Sequence, residues 1–311
     1  MIDFRYHIVS IAAVFLALAL GLVLGSTSGF QNNAIGDLDK HISQLRKQSN
    51  DLRSVVDREQ GLLKKGDELV TVLTPSLIKD ALEGEHVAVV SAPGANGSLR
   101  DAAEEAVTAA GGTIASEVSL SADFFTQDNV AVLAGLVDRL APSVPTEGSA
   151  LDRAAKALSD ALLVSDKSRT GNQLGSSDTA LVAGFREAKL VSVSDNPVRA
   201  SLVVFVAAPP QDKADPDLEG EVRVAAALDE AGRGSVVVGA EQAGAPAHGL
   251  VRAVRATGEV AAVVSTVDDA ATPAGRLRLV RALSAERTGL AGQYGTGDGA
   301  QAVIATPTPS P

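Results

Sequence analysis

The feature that most constrains this sequence is an uninterrupted apolar run from Ile8 to Gly25, which contains no charged residue and a single hydroxyl side chain. A helix of this length spans ~27 Å, which is close to the thickness of the hydrocarbon core of a bilayer. Apolar residues cover every side of such a helix, so it has no polar face with which to lie along a membrane surface. We therefore expect residues 8–25 to anchor the chain in a membrane, behind a short leader of residues 1–7.

A cleaved secretory signal is the alternative interpretation of this run, and a peptidase could cut after Gly25. The apolar core of such a signal is usually ~7–15 residues long and follows a basic leader. This run is longer, and Asp3 offsets the charge of Arg5, so an uncleaved anchor is favoured. Arg5 lies close before the run, and the first charges after it are acidic. We therefore expect a cytoplasmic N-terminus and an extracytoplasmic bulk of the chain, at the cell membrane or in the outer envelope.

A heptad pattern follows the apolar run. Between Ile35 and Leu73, mostly apolar residues recur at alternating three- and four-residue steps, with charged residues of both signs between them. The stripe is interrupted at Ser49, Glu59 and Gly66. As a helix it is narrow and ~58 Å long, which is more than a small domain can cover. Residues 30–74 are therefore predicted to form a coiled-coil stalk that self-associates into a homo-oligomer, rather than a helix packed on its own domain; the number of chains stays open.

Residues 75–305 carry the pattern of an α/β domain, in which short valine-rich runs alternate with helix-forming segments. The predicted strands are residues 86–91, 113–120, 190–194, 202–207, 235–239 and 260–264. The predicted helices are residues 99–110, 128–140, 151–164, 218–231 and 273–286. This alternation predicts a mostly parallel sheet that is covered by helices on both faces. Pro75 is expected to end the stalk helix or to begin a short one, and the tail of residues 306–311 is expected to be disordered.

The composition argues against several kinds of site. The net charge of −11 offers no basic face for a nucleic acid. The chain has no cysteine and one methionine, which excludes disulfides, thiolate metal sites and cysteine nucleophiles. The four histidines lie far apart and lack the spacing of metal-binding motifs, and no hydrolase motif is present. We therefore expect no enzymatic activity and no resident cofactor.

Three loops contain residues from which a site could be built. Residues 92–98 follow a predicted strand and precede a helix, which is the layout that cradles phosphate, but they lack the glycine and lysine pattern and are better explained as a plain turn. Residues 265–269 follow the predicted strand 260–264, where open α/β sheets place ligand groups. Their two aspartates could hold a cation, although a role of residues 269–272 as capping and turn residues ahead of Pro273 is favoured.

The third loop, residues 292–299, contains four glycines. This density indicates tight backbone geometry or close approach to another group, with a flexible domain end as the plainer explanation. No catalytic, cofactor-binding or metal ligand set can be assigned. The candidate functional residues of the last two loops are Ser265, Thr266, Asp268, Asp269, Gly292, Tyr294, Gly295 and Gly297.

Three spaced segments resemble the MctB family of actinobacterial copper transport proteins. They are DFRYHIVSIAAVFLALALGLVLG at residues 3–25, STVDD followed by PAGR at residues 265–276, and GQYGTG at residues 292–297. The resemblance implies a membrane protein of copper homeostasis that takes part in copper efflux, as a component of an oligomeric pore or channel, with copper as the transported ion. It implies no set of copper ligands.

The residues themselves support a membrane-anchored envelope protein with a coiled coil and an α/β domain. One apolar helix cannot form a pore except by oligomerising, and the chain lacks the usual donors for Cu(I). An alternative function is therefore a non-enzymatic scaffold or adaptor of the envelope that oligomerises through its coiled coil and binds no metal. A membrane-tethered enzyme would need Asp268, Asp269 and the glycine loop to converge on one site.

Overall fold

The structure is a computed structural model that describes residues 4–25, 29–213, 217–240 and 248–301. The predicted tail, residues 306–311, lies outside this part of the chain, as does the start of the leader. The chain divides into two compact units, residues 1–66 and residues 67–311.

The N-terminal helix α1 (Phe4–Gly25) contains the apolar run. Its segment His7–Gly25 has a mean hydropathy of 2.7 and none of it is buried. Within the described ranges, this is the one helix long and apolar enough to cross a membrane. Large side chains such as Phe15 (69% exposed) and Leu24 (72% exposed) are left uncovered, as expected for a helix that meets lipid rather than its own chain.

The second helix, α2 (Gly29–Ile78), confirms that the heptad segment is helical. Pro75 does not end it, because the helix continues through the proline to Ile78. Ile78 is 2% exposed and packs with Leu82 in the core of the second unit. The free energy gained by burying this turn offsets the loss of the backbone hydrogen bond that proline cannot donate. Pairing of the helix with other chains stays a prediction.

The second unit is built on one mixed, mostly parallel sheet. Its described strands are β1 (His86–Ser91), β2 (Thr113–Leu120), β3 (Val191–Val193), β4 (Leu202–Val206), β5 (Ser235–Val238), β6 (Ser265–Val267) and β7 (Gln293–Tyr294). Their order across the sheet is β3-β2-β1-β4-β5-β6-β7. Neighbouring strands are parallel except for the antiparallel pair β2 and β3. The predicted α/β class is therefore confirmed.

Helices cover both faces of this sheet. The described helices are α3 (Gly97–Ala109), α4 (Val130–Leu140), α5 (Ala150–Leu162), α6 (Ser176–Glu187), α7 (Leu218–Ala231), α8 (Leu250–Ala256), α9 (Gly258–Ala261) and α10 (Pro273–Glu286). Alternate residues of the central strand β4 enter two separate apolar cores. Val203 and Phe205 pack in the core that α4 to α8 cover, whereas Val204 and Val206 pack in the core that α3 and α10 cover.

One predicted strand is wrong. Residues 260–264 are not extended: α9 and a helical turn occupy this stretch, in which the Val264 amide donates to the Val260 carbonyl at 2.8 Å. Val263 is 48% exposed. The strand at this place is Ser265–Val267, whose residues pair with β5 and β7. Neighbouring elements supply hydrogen-bond partners for the side chains of Ser265 and Thr266. These tertiary contacts, rather than the β propensity of the valines, decide which residues form the strand.

Two helices of the structure, α6 and α8, were not predicted from the sequence. Helix α6 begins at Ser176, inside a segment that reads as a polar loop, and α8 is only seven residues long. Both expose polar residues on one side and bury a few apolar ones on the other, such as Leu181 and Val251. Such short patterns give a weak periodic signal.

The two-sided burial of β4 can be tested with a matched pair of valines. Val204→Ala removes methyl groups from a fully buried site, so we expect it to lower the free energy of unfolding by about 2 kcal/mol. Val263→Ala, at a site that the sequence pattern suggests is a buried strand, should change it by less than about 0.5 kcal/mol. Urea unfolding followed by circular dichroism measures both; a large loss for Val263→Ala would contradict the observed fold.

Candidate functional site

The two C-terminal candidate loops meet at the edge of the sheet where β6 and β7 run side by side. Thr266 pairs with Gln293 and Val267 with Tyr294. Residues 268–269 therefore follow the carboxyl end of β6, and the glycine loop follows the carboxyl end of β7. The structure thus brings the two sets of candidate residues together in one place.

Asp268 is the centre of this arrangement, and its carboxylate is fully buried. Its Oδ1 atom accepts a hydrogen bond from the backbone amide of Thr296 at 2.9 Å, and its Oδ2 atom accepts one from the amide of Gly297 at 2.8 Å. Arg255 Nη1 donates to Oδ2 at 2.9 Å. The carboxylate folds the glycine loop back over the end of β6.

Arg255, from helix α8, is the functional partner that sequence reasoning missed. Its side chain is 5% exposed. Besides Asp268, it donates to Thr266 Oγ1 at 2.8 Å, to the Tyr294 carbonyl at 2.8 Å and to the Asp298 carbonyl at 3.0 Å. One guanidinium therefore ties β6, β7 and the glycine loop together through its fixed fork of donors. No motif in the sequence singles out this arginine, because its partners lie 11 to 43 residues away.

Glycine is required at two positions of the loop because other side chains lie directly against its backbone. A Cβ atom on Gly295, whose φ is +132°, would lie 2.0 Å from Asp268 Oδ1. A Cβ atom on Gly292 would lie 2.3 Å from the Tyr294 hydroxyl oxygen. Other residues cannot be accommodated at either position without displacing the buried carboxylate or the tyrosine ring.

Asp269 has a different set of partners. Its carboxylate pairs with Arg278 of α10, and both side chains are less than a tenth exposed. Within the range 269–272 that was expected to cap α10, Thr272 is the cap, and its Oγ1 accepts from the Gly275 amide at 2.9 Å. Because the two carboxylates are each held by their own arginine, Asp268 and Asp269 do not present a free pair of acidic ligands. The carbonyl of Asp269 leaves no room for a side chain at Gly275.

A second polar cluster lies on the other side of β6. Ser265 accepts from the Gly292 amide at 3.0 Å, and its own amide donates to Glu286 Oε1 at 2.9 Å. Burial of Glu286, which is 2% exposed, raises its pKa to about 8, and the nearby charge of Asp229 adds to this shift. Burial likewise raises the pKa of Asp229 to about 6. Glu286 is therefore largely protonated at neutral pH.

The loop after β1 is a capped turn. Asn96 Oδ1 accepts from the Ser98 amide at 2.9 Å and from the Ser98 hydroxyl at 2.8 Å. The start of α3 thus already has a side-chain acceptor.

Comparison with known proteins covers the chain from end to end. The family model described as "Copper transport outer membrane protein, MctB" matches residues 1–305. This chain belongs to the MctB family. Proteins named "Copper transporter MctB" from Mycobacterium tuberculosis (strain ATCC 25618 / H37Rv) and Mycobacterium bovis are each 32% identical to it over an alignment of 325 positions that covers 97% of this chain and 99% of the relative. The Mycobacterium leprae protein of that name is 28% identical over the same shares.

The edge site, formed by Arg255, Asp268 and the glycine loop, has little free capacity for a metal ion. Across the described ranges, no group of three or more His, Cys, Asp or Glu side chains is placed to hold an ion. Both carboxylate oxygens of Asp268 already accept hydrogen bonds, which come from Arg255 and from the backbone amides of Thr296 and Gly297. We therefore interpret the edge site as the device that fastens β7 and the glycine loop to the sheet.

The Arg255–Asp268 pair should be essential for stability. In Asp268→Asn the shape is kept, but Arg255 is left as an unpaired buried charge, and we expect the free energy of unfolding to fall by about 3–5 kcal/mol. Asp298→Asn is the matched control, because that side chain is 69% exposed in its pair with Arg252 and should cost less than about 1 kcal/mol. Equal losses in thermal or urea unfolding would contradict this role.

The buried carboxyl of Glu286 should make stability depend on pH. Its pKa in the folded chain, about 8, lies above the ordinary value of 4.5, so the native state holds a proton that the unfolded state releases. This proton favours folding at low pH, and the advantage is lost as the pH rises from about 4.5 to 8. We expect Glu286→Gln to reduce the loss of stability between pH 6 and pH 8 by about 2 kcal/mol.

Urea unfolding at a series of pH values measures this difference. Glu259→Gln, at an exposed site on α9, is the control and should follow the parent chain. A Glu286→Gln variant with the parent's pH profile would show that the glutamate is ionised in the native state.

Proposed function

We propose that this chain acts in copper efflux as a membrane-anchored protein of the cell envelope that self-associates through α2. The observation that carries the proposal is the end-to-end match to relatives named copper transporters, which covers 97% of this chain. The match includes the apolar helix, the long second helix and the α/β domain. Each of these three parts therefore lies within the sequence that matches the relatives, and each has a separate task in the proposed function.

The task of α1 is to hold the chain in the membrane. Its apolar side chains are exposed and none of the segment His7–Gly25 is buried, and the hydrocarbon core of a bilayer would cover them. The charge of Arg5 before the span, with acidic residues after it, favours a cytoplasmic N-terminus and an extracytoplasmic α/β domain. The helix stays attached in this proposal rather than being removed as a signal.

The task of α2 is to join several chains. Leu45, Leu52 and Leu63 of the heptad seam are 64%, 66% and 69% exposed. A lone helix would present this stripe to water, whereas knobs-into-holes packing with a second copy buries it. The stripe also widens where the seam is interrupted by Glu59 and Gly66. There a second row of apolar residues lies one position before the seam: Val55, Leu62 and Leu69, which are 48%, 57% and 60% exposed.

Oligomerisation matters for transport because one apolar helix cannot enclose a path for an ion. An assembly of chains brings several α1 helices together and places several α/β domains near the point of transfer. A scaffold or adaptor that binds no metal would use the same assembly to position a partner. The two functions differ in whether cell copper depends on the assembled chain.

The test measures the total copper content of cells grown with added copper, in a strain that lacks the protein. The strain is restored with the full chain, with Leu52→Lys in the seam, or with Val72→Lys. Val72 is 76% exposed and lies off the seam, so Val72→Lys is a matched control that adds the same charge to α2 outside the seam. We expect the full chain and Val72→Lys to lower cell copper by several-fold relative to the deletion, and Leu52→Lys to fail because a lysine in the seam opposes pairing.

A fourth arm replaces residues 8–25 with a cleavable secretory signal, which releases the domain from the membrane. This chain should also fail to lower cell copper. Cross-linking in membranes reports the oligomer in each strain, so that loss of copper efflux can be compared with loss of assembly. Unchanged copper in every strain would overturn the transport function in favour of the scaffold, and full activity of Leu52→Lys would overturn self-association through the seam.

A further inference from the structure

The apolar face of α2 is wider in the second half of the helix than in the first. In the first half, the polar residues His41 and Gln48 lie one position before seam residues. In the second half, the corresponding positions are occupied by the second row, Val55, Leu62 and Leu69, which are 48%, 57% and 60% exposed. The helix therefore gains an additional apolar row from Val55 onward.

This second row creates a second heptad seam, which shares one row of residues with the first. The shared row recurs every seven residues and consists of Leu52, Glu59, Gly66 and Leu73. The first seam adds the row on one side of it, which is Val56, Leu63 and Val70. The second seam adds the second row on its other side. Both seams follow alternating three- and four-residue steps, which is the spacing of a coiled-coil contact.

One partner helix cannot cover both seams. Glu59 and Gly66 of the shared row offer little apolar surface, so most of the apolar contact comes from the rows on either side, which lie about 100° apart on the helix. A two-chain coiled coil packs along one seam only. If the first seam pairs, Leu62 and Leu69 stay in water; if the second seam pairs, Leu63, which is 69% exposed, stays in water.

Further copies of this chain are the partners that fit both seams. Each seam has the seven-residue repeat with which helices of the same kind pack in register. In the proposed function α1 anchors every copy from the same side of the membrane, which makes their α2 helices parallel. The second row carries no charge, so parallel copies do not bring like charges together at these positions.

We propose that residues 52–73 join at least three copies of this chain into a ring. Each helix packs on one neighbour through its first seam and on the other neighbour through its second seam. Contacts between two different surfaces of the same chain close by forming a ring, and three chains are the fewest that use both seams. The inference rests on the proposed self-association through α2, and it goes beyond it in the number of chains and in the second contact surface.

The test is the mass of the purified full chain in detergent micelles, measured by native mass spectrometry. We expect at least three chains per particle. Leu62→Lys combined with Leu69→Lys should reduce the particle to two chains, because charged residues are accepted beside a dimeric seam but not within a second seam. Ser54→Lys combined with Val72→Lys is the matched control. Both of these residues are exposed and lie outside both seams, so this variant should keep the parent's number of chains.

Disulfide cross-linking in membranes gives an independent count, because the chain has no cysteine of its own. Leu62→Cys combined with Asp67→Cys places one thiol on each side of the helix, at positions that meet between neighbouring parallel helices. Oxidation should link the chains in series and give covalent species of three or more chains on a non-reducing gel. Either cysteine alone is the control and should give no species above two chains.

Circular dichroism of each variant reports whether α2 remains helical. A parent chain of two copies, cross-linked species that stop at two chains, or a helical double-lysine variant with the parent's number of chains would overturn the inference. A dimer would leave self-association through α2 standing, whereas a monomer would overturn both. The cell-copper measurement is separate, since a ring that leaves cell copper unchanged keeps this inference and loses copper efflux.

Discussion

The C-terminal edge of the α/β domain depends on one buried ion pair, between Arg255 and Asp268. Strand β7 is only two residues long, which is too short for ladder hydrogen bonds alone to hold it against β6. The guanidinium supplies the missing attachment by donating to the Tyr294 and Asp298 carbonyls as well as to the carboxylate. A buried ion pair is costly unless its remaining donors and acceptors are satisfied, and here the backbone amides of the glycine loop complete that set.

This ion pair explains why the edge of the sheet is so rich in glycine. The amides of Thr296 and Gly297 reach the carboxylate only if the loop passes directly over it, and at Gly295 that path leaves no space for a Cβ atom. The two aspartates that follow β6 consequently serve different elements, since Asp268 holds the glycine loop and Asp269 holds α10 through Arg278. A pattern that suggests paired acidic ligands is instead a pair of separate attachments.

The parts of the fold that the sequence predicts well are those whose signal is local. Helices 218–231 and 273–286 have the predicted bounds, because their apolar periodicity and, for the second, an N-terminal proline are contained in the segment itself. The strand at 265–267 could not be found this way. Its polar Ser265 and Thr266 are buried only because Glu286, Gln293 and Gly292 supply partners from distant positions, whereas the adjacent valines gave a stronger and misleading β signal. Arg255 is invisible for the same reason, since its importance is set by partners that only the tertiary fold assembles.

Two buried acidic residues of the domain, Asp268 and Glu286, have environments that disfavour a metal ion for different reasons. At the sheet edge, the carboxylate of Asp268 is stabilised in its charged form by an arginine and two amides, so a cation would have to displace a complete set of partners. Burial and the nearby charge of Asp229 keep Glu286 largely protonated near neutral pH, so a metal would first have to displace the proton.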